Sequence, residues 1–284
     1  MIKPRLVRYL VSHPLNRRTR FRALPAMLRW TLATRLLPGY EIIIPFANHA
    51  KLAIVPGHWG SEANALCGLR DFFDMGFLLH FLRPDDLFCD VGARSMSFEP
   101  VRSTYAELLK NVAINQIAAR VGARSMAVGS AAGRLTLTGD QDTQNHVVAG
   151  NDDALPAGTV TVATDTLDNV LAASVPQLLK VDVEGWEHEV FAGAAAVLRD
   201  PNLFAIIVEL NQSGKRYGFD DDVIHQTLLD QDFATYRYRP FERRLVSLDK
   251  RHNPGGNTLY LRNLEAVNAR LQSAPAFSVR GMHI

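Results

Sequence analysis

From about residue 80 onward, short apolar runs alternate with longer segments in which apolar residues recur at helical spacing. The runs at 87–91, 178–183 and 204–210 have the length and composition of buried strands. Residues 105–115 instead place apolar side chains three and four positions apart, as on one face of a helix. Strands that alternate with helices predict a parallel sheet covered by helices on both faces. The expected fold class is therefore α/β, with a mostly parallel sheet.

The same patterns predict further elements along the chain. Strands are expected at 42–46, 51–55, 123–128, 133–139, 234–239 and 257–262. Helices are expected at 71–82, 186–198 and 221–231. The polar segment 140–158 contains Gly150, Pro156 and Gly158 and is predicted to be a long loop.

The amino-terminal segment differs from the rest in charge, because no acidic residue precedes Glu41. Its basic residues are Lys3, Arg5, Arg8, Arg17, Arg18, Arg20, Arg22, Arg29 and Arg35. Leucines at 24, 28, 32 and 36 recur at helical spacing. The pattern predicts a basic helical extension, and it divides the chain into an accessory region, 1–80, and a main domain, 81–284.

Three interpretations of this extension remain open. The helix can pack on the main domain with solvated arginines, or it can make weak contact with an anionic membrane surface through residues 1–37. An arginine-rich, acid-free start is also typical of organelle transit peptides, although Ser12 is the only serine before residue 40.

Overall composition excludes several classes of protein. The net charge is +2, so the whole molecule offers no electrostatic basis for binding nucleic acid. Cys67 and Cys89 are the only cysteines and lack the spacing of a metal site, which favours a reduced, cytosolic setting. No apolar run approaches the ~20 residues of a membrane span. We expect no metal ion.

Acidic residues stand at the ends of three predicted strands. Asp90 ends the first, Glu99 ends the second, and Asp182 follows the apolar run that begins at residue 178, with Glu184 just after it. Ligands of open parallel sheets bind beyond the carboxyl ends of the strands. A carboxylate there can accept hydrogen bonds from both ribose hydroxyls, and Gly92 permits close approach of the backbone. The pattern therefore favours a nucleoside ligand.

These residues, with several other segments, resemble the FkbM-type family of S-adenosylmethionine-dependent methyltransferases. The resemblance covers about residues 80–262, and its most specific part is KVDVEGWE at 180–187. The other matching segments are DVGA at 90–93, FEP at 98–100, LLKNVAIN at 108–115, AVGSAAG at 127–133, TDTLDNVL at 164–171 and IIVEL at 206–210. The family implies a Rossmann-like sheet with an antiparallel edge strand, S-adenosylmethionine as cofactor, and methyl transfer usually to a hydroxyl oxygen.

The resemblance also implies roles for individual residues. Asp90 and Gly92 match the cofactor motif near the methionine part, and Glu99 matches the acid that holds the ribose hydroxyls. Val128 and Gly129 lie in the segment that matches the one beside the adenine. Asp182 and Glu184 match the motif near the transferred methyl group. For Glu184, the alternative is an ordinary acid in the first turn of a helix.

The chain departs from the family pattern directly after Ala93. The second glycine of the motif, the asparagine and the first crossover helix are absent, and the next strand begins almost at once. Parallel neighbours need a crossover of about a dozen residues. We therefore expect that residues 87–91 and 95–98 do not lie side by side, and that Asp90 is displaced from the cofactor site.

The sequence leaves the general base and the function with alternatives. Candidates for the base are Asp182, Glu184 and His146, with His188, Glu209 and His58 as further options. The leading interpretation is an enzyme that methylates a hydroxyl of a small molecule, sugar or lipid-linked glycan. The alternative is an inactive family member that binds a ligand or a partner, which the short join favours. A nicotinamide dehydrogenase is disfavoured because no Gly-x-Gly-x-x-Gly follows a strand.

Overall fold

A computed structural model describes residues 4–18, 20–36, 39–55, 59–90, 95–139, 145–148, 158–254 and 256–284. Its α-helices are α1 Pro4–Ser12, α2 Pro14–Arg18, α3 Arg20–Leu36, α4 Trp59–Cys67, α5 Phe72–Phe81, α6 Arg102–Ile114, α7 Leu167–Val170, α8 Glu187–Ala192, α9 Ala195–Arg199, α10 Asp221–Leu229 and α11 Leu264–Ser273. Short 3-10 helices lie at Ala118–Arg120, Ser213–Tyr217 and Pro240–Glu242.

The strands follow the same chain order. They are β1 Ile42–Pro45, β2 Lys51–Ile54, β3 Phe88–Cys89, β4 Ser95–Phe98, β5 Val121–Arg124, β6 Ala127–Val128, β7 Gly133–Thr138, β8 Thr159–Asp165, β9 Leu178–Val181, β10 Ala205–Glu209, β11 Ala234–Arg239, β12 Arg244–Ser247, β13 Asn257–Leu261, β14 Ser278–Val279 and β15 Met282–His283.

The central sheet has eight strands within the described chain, in the order β12-β11-β13-β10-β9-β3-β4-β5. The strands from β10 to β5 are mutually parallel, whereas β13 is antiparallel to both of its neighbours and the edge strand β12 is antiparallel to β11. This confirms the predicted α/β fold with a mostly parallel, Rossmann-like sheet and an antiparallel edge strand. The chain fills the sheet outward from β3 in one direction and then from β9 in the other. The topological switch point, where ligands of such sheets bind, therefore lies between β3 and β9.

The expectation that β3 and β4 cannot lie side by side is wrong. Phe88 pairs with Ser95 and Cys89 with Met96 in parallel register. The short join is compatible with this pairing because β3 has only two residues. From the end of β3 the chain must return by one residue, about 3.3 Å, and move sideways by about 4.8 Å. The contour length of residues 90–94 exceeds that distance, so the pairing does not require a crossover helix.

Helices cover both faces of the sheet because alternate residues of its strands point to opposite sides. On one face, Leu179 and Val181 of β9 pack with apolar residues of α7, α8, α9 and α10. On the other face, Leu178 packs in a cluster with Phe77 and Phe81 of α5 and with residues of α11. Both clusters are almost fully buried, and the cores on the two faces hold the central strands at fixed positions beneath the site.

Two predicted elements are each divided in the structure. The predicted helix 186–198 forms α8 and α9, with a break at Gly193, where a Cβ would collide with the carbonyl oxygen of Gly129. The Asp168 carboxylate accepts from the backbone N–H groups of Ala196 and Val197 and caps the second helix. The predicted strand 123–128 similarly forms β5 in the main sheet and β6 in a small sheet with β7 and β8.

The amino-terminal helices α1–α3 pack together with α4 and form a helical layer, α1–α4. Along the chain, the β1–β2 hairpin lies between α3 and α4. Buried Leu10, Leu66 and Cys67 pack there with Met27 and Trp30 of α3. The carboxyl-terminal β14–β15 hairpin is joined to the same part of the molecule, since Val279 is buried beside Leu15 and Leu69. None of the described helices has both the length and the apolar content needed to cross a bilayer.

The division of the chain at residue 80 stays a prediction. Helix α5, which reaches across that boundary, contributes Phe77 and Phe81 to the core of the central sheet. A turn just before this helix, at Arg70 and Asp71, reaches the site described next.

Candidate active site

A cavity of about 450 Å³ lies at the carboxyl ends of β3, β4 and β9, beside the topological switch point. Its volume is within the range of small-molecule sites. Carboxylates dominate its polar lining: they belong to Asp71, Asp90, Glu99, Asp182, Glu184 and Glu209. The basic lining residues are Arg70 and Lys180. Among the described lining residues, acidic side chains therefore outnumber basic ones, which favours a ligand that carries a cationic group.

The structure brings most of the sequence-predicted site residues together. Asp90, Glu99, Asp182 and Glu184 all line the cavity, and so do Val128 and His146. Asp90 thus lies with the other strand-end acids, so the expected displacement of Asp90 is wrong; the parallel pairing of β3 with β4 is the physical reason.

The two glycines predicted to bind the cofactor, Gly129 and Gly92, are not among the described lining residues of the cavity. Gly129 does not contribute to the cavity lining; it packs against Gly193 and the indole nitrogen of Trp186, and its N–H donates to the carbonyl of Asp165. Gly92 lies outside the described residues, as does His58. His188 of α8 stacks on Phe219 with ring centroids 4.3 Å apart and is not among the cavity residues.

Asp90, Lys180 and Asp182 form a charged group across the switch point. The Lys180 Nζ donates to the Asp182 Oδ2 at 2.9 Å. Burial opposes the charge of the Lys180 ammonium, but Asp182 and Asp90 outweigh that effect and raise its pKa. Burial, together with the nearby carboxylates of Asp182 and Glu99, raises the pKa of Asp90 to about 8 even though Lys180 acts in the opposite direction.

Glu99 stands at the end of β4 with one carboxylate oxygen already engaged. Its Oε1 accepts from the backbone N–H of Val101 at 3.1 Å, which fixes the side chain. Burial raises the pKa of Glu99 to about 6, against the opposing effect of that hydrogen bond. A carboxylate has about four lone-pair sites, so Glu99 keeps acceptor capacity for hydroxyl groups of a ligand.

The turn after β9 places Glu184 in the cavity by a strained backbone. Glu184 has φ 53° and Gly185 has φ 102°, both in the left-handed region. A Cβ at Gly185 would lie 2.7 Å from the backbone carbon of Ser213, so only glycine fits there. Left-handed conformation at a non-glycine residue costs free energy and persists only where surrounding contacts impose it.

Glu187, at the start of α8, supplies such contacts. The side chain is 4% exposed, and its Oε1 accepts from the backbone N–H groups of Val183 and Gly185 at 3.1 and 3.2 Å. These two bonds span the residue between them, Glu184. Burial raises the pKa of Glu187 to about 7. Glu187 is therefore a positioning residue that holds the turn carrying Glu184.

Two lining residues present polar atoms that have no partner among the described residues. The indole nitrogen of Trp186 and the Oδ1 of Asn257 are both buried and unpaired. Asn257 is oriented by a 2.9 Å hydrogen bond from its Nδ2 to Asp74. Buried polar groups ordinarily have partners, so these two atoms are exceptions among the described residues.

The cavity lining also includes residues 145–147 of the predicted long loop. The Tyr217 hydroxyl donates to the carbonyl of Val147 at 2.8 Å, and Trp186 packs edge-on against the Tyr217 ring. The backbone N–H of His146 donates to the Thr138 hydroxyl at 3.0 Å. These contacts place His146 at the cavity, while residues 140–144 and 149–157 lie outside the described part.

Sequence reasoning missed Arg70, Asp71, Lys180 and Asn257. Arg70, Asp71 and Asn257 come from turns and strand ends far away in the chain and belong to no local motif. Lys180 did carry a signal, because it interrupts an apolar strand, LLKV, and a buried cation requires an anionic partner.

The sheet order and the cavity at its switch point are those of a Rossmann-like α/β fold. Comparison with known families narrows the class: the family model described as "Methyltransferase FkbM domain" matches residues 67–238, well over half of the chain. The chain belongs to the FkbM methyltransferase family.

Known structures and curated proteins add little beyond the family. The crystal structure of methyltransferase FkbM from Methylobacillus flagellatus KT, at 2.20 Å resolution, is similar to 70% of this chain with 15% sequence identity and a TM-score of 0.41. The matched part covers 52% of that protein, so this chain spans about half of its length. No curated protein matches this chain.

Proposed function

We propose that this protein is an S-adenosylmethionine-dependent methyltransferase that methylates a hydroxyl group of a small molecule, a sugar or a glycolipid. The observation that carries the proposal is the cavity at the switch point, in which Asp90, Glu99, Asp182 and Glu184 meet. Membership of the FkbM methyltransferase family supports the reaction class. The cofactor and the hydroxyl acceptor are what the resemblance to FkbM-type methyltransferases implies, and the carboxylates of the cavity are compatible with them.

The residues of the cavity fit S-adenosylmethionine. When bound, this cofactor supplies an electrophilic methyl group on a positively charged sulfonium. The excess of carboxylates over basic groups in the lining favours a ligand with sulfonium and ammonium charges. Glu99 retains acceptor capacity for ribose hydroxyls.

Glu184 is the best general base among the three candidates. Burial and the neighbouring Asp182 raise the pKa of Glu184, so its carboxylate takes a proton more readily than an ordinary glutamate does. Asp182 is less suited because its Oδ2 is ion-paired with Lys180. His146 lines the same cavity and remains the second candidate. In this proposal Glu184 removes the acceptor hydroxyl proton, while the other acids hold and orient the bound molecules.

The competing function is a binding protein without methyltransferase activity. Only residues 90–94 separate β3 from β4, where the family has a glycine loop and a helix. In that case the cavity would bind a ligand of another kind, and the donors that ordinarily hold the methionine end of the cofactor would be missing.

Isothermal titration calorimetry of the full chain with S-adenosylmethionine and S-adenosylhomocysteine tests the proposal. We expect micromolar dissociation constants for both molecules. Absence of heat at millimolar concentration, in a protein with a cooperative unfolding transition, would favour the inactive binding protein.

Transfer of a labelled methyl group to a panel of sugars and glycolipids then tests the acceptor class. Glu184→Gln is expected to abolish transfer while it leaves the dissociation constant of the cofactor within about threefold, because the amide keeps the shape of the side chain but cannot take the proton. His146→Gln is the matched comparison. Loss of transfer only in the histidine variant would assign the base to His146.

A further inference from the structure

The outer face of α3 exposes an apolar stripe in the most basic part of the chain. Leu28, Leu32 and Leu36 are 64%, 47% and 70% exposed. They follow one another at intervals of four residues, so they occupy an arc of only about 80° around the helix. Single exposed leucines are ordinary on protein surfaces, but a continuous stripe marks an interaction site.

The opposite face of the same helix is already covered. Met27 and Trp30 of α3 pack against the buried residues Leu10, Leu66 and Cys67. The Thr31 hydroxyl donates to the carbonyl of Met27 within the helix. Helix α3 is thus apolar on two opposite faces, of which one holds the helix on the protein body and the other faces outward.

Arginines flank the outer stripe on both sides. At about 100° per residue, Arg29 lies about 20° beyond Leu36, and Arg35 lies about 20° beyond Leu28 on the other edge. Both arginines are exposed, and neither has a carboxylate partner among the described residues. Partners within the helix are impossible, because no acid precedes Glu41.

We propose that the outer face of α3 docks onto an anionic lipid bilayer and lies in the plane of its surface. Leucines at the centre can enter the interface between headgroups and acyl chains, while arginines on both edges extend toward lipid phosphates. Charge complementarity favours a lipid bilayer over a second copy of this chain as the partner. An uninterrupted excess of positive charge is attracted to an anionic surface and repels a second copy of the same face.

The docking face is connected to the cavity through the helical layer α1–α4. The hydroxyl of Tyr9, in α1, donates to the backbone carbonyl of Arg70 at 2.9 Å, and Arg70 lines the cavity. Docking would therefore bring the site to a membrane surface, where an amphiphilic acceptor would be concentrated. The docking proposal itself rests on the helix alone and holds whether or not the cavity is catalytic.

Vesicle sedimentation with the full chain tests the proposal. We expect binding to vesicles of phosphatidylglycerol and phosphatidylcholine, little binding to phosphatidylcholine alone, and weaker binding as salt is raised. A triple variant, Leu28→Ser, Leu32→Ser and Leu36→Ser, should lower the partition coefficient at least about tenfold, because three leucines lose their burial. Arg29→Gln with Arg35→Gln should lower it about fivefold per arginine and flatten the salt dependence.

The matched control replaces exposed apolar residues on other helices. Leu109 of α6 and Val223 of α10 are 43% and 52% exposed, and Leu109→Ser with Val223→Ser should leave vesicle binding unchanged. Because the substituted leucines are exposed, circular dichroism should show an unaltered fold in the triple variant. Equal partitioning of wild type and triple variant would overturn the proposal. A wild-type dimer that the triple variant dissociates, in a protein that ignores the vesicles, would instead assign the face to self-association.

Discussion

The cavity at the sheet edge and the helical layer α1–α4 differ in the sign of their charge and in how far the charged groups are buried. Acids crowd the cavity, whereas the first forty residues contain arginines and no acid. Burial raises the pKa of Asp90, Glu99 and Glu187 to about 8, 6 and 7. By contrast, Arg29 and Arg35 lie exposed on the surface.

This difference has an energetic consequence. A charge removed from water interacts strongly with its neighbours and with any bound molecule, whereas water and salt screen a surface charge. The acids therefore influence folding, cofactor affinity and proton transfer. The arginines of α3 are expected to act only when a partner surface approaches. Removal of a buried acid should therefore change stability or binding more than removal of an exposed arginine does.

Removal of the Glu187 carboxylate should have the largest effect. Glu187→Ala leaves the backbone N–H groups of Val183 and Gly185 buried without their acceptor, at a cost of about 2–4 kcal/mol in the free energy of unfolding. Glu187→Gln keeps one carbonyl oxygen for both donors and should lose less than half of that. Urea denaturation measures the difference. If the alanine variant is as stable as wild type, the two bonds do not hold the turn.

The same pair of variants separates positioning from general stability. Because Glu187 holds Glu184 in its left-handed conformation, Glu187→Ala should lower kcat more than it raises KM for the cofactor, and Glu187→Gln should restore most of kcat. A purely structural role would lower the amount of folded enzyme and leave both constants of the folded fraction unchanged.

Glu99 should show the second largest effect, in binding instead of folding. Glu99→Ala is expected to weaken binding of S-adenosylhomocysteine by about 1.5–3 kcal/mol, the range for hydrogen bonds to a charged group. Calorimetry measures the dissociation constant, with Glu265→Ala, at an exposed position of α11, as the control for loss of a surface carboxylate. An unchanged constant in a folded Glu99→Ala protein would remove Glu99 from the ribose site.

The sequence predicts a helix or strand well where neighbouring residues determine it, and poorly where contacts between remote residues do. Strands β9 and β10 and helices α5 and α10 lie within the segments predicted for them, because period and apolar length determine them. Helix α6 overlaps its predicted segment, 105–115, but begins earlier, at Arg102. The break between α8 and α9 was missed, since it depends on the passage of Gly129 beside Gly193, two residues far apart in the chain. The segment from Leu264 gave no usable pattern, yet it forms α11 and the β14–β15 hairpin.

The same distinction holds for the site. Asp90, Glu99, Asp182 and Glu184 were predicted because each follows a strand, and parallel strands bring their carboxyl ends to one edge. Arg70 and Asn257 reach the cavity only through the packing of remote turns, which no local pattern reports. The pairing of β3 with β4 was predicted wrongly because the general crossover length was applied to a strand of two residues.

The third prediction concerns pH and Asp90. A carboxyl group whose pKa is raised in the folded protein binds more protons there than in the unfolded chain, so its contribution to stability falls as pH rises. For Asp90 the loss extends from its ordinary pKa of 3.8 to about 8. Asp90→Asn should therefore be more stable than wild type by about 1–2 kcal/mol at pH 8, and the two should converge near pH 4. Urea denaturation across this range measures the difference, and parallel pH profiles of the two proteins would contradict it.

The smallest effect on the free energy of unfolding is expected from the arginines of α3. A small effect is expected because exposed charges contribute less to stability than the buried charges of the cavity do. Arg29→Gln with Arg35→Gln should change the free energy of unfolding by less than about 0.5 kcal/mol, because both side chains are exposed and unpaired within the described residues. The matched control is a basic residue that stabilises the fold: Arg262 donates to the backbone carbonyls of Leu203 and Leu198 at 2.6 and 2.9 Å, so Arg262→Gln should cost more than about 1 kcal/mol. Thermal and urea unfolding of the three proteins provide the measurement. A large loss of stability in the α3 double variant would mean that these arginines hold the helical layer together. The arginines on the outer face of α3 would then have a structural role and would not be reserved for binding a partner.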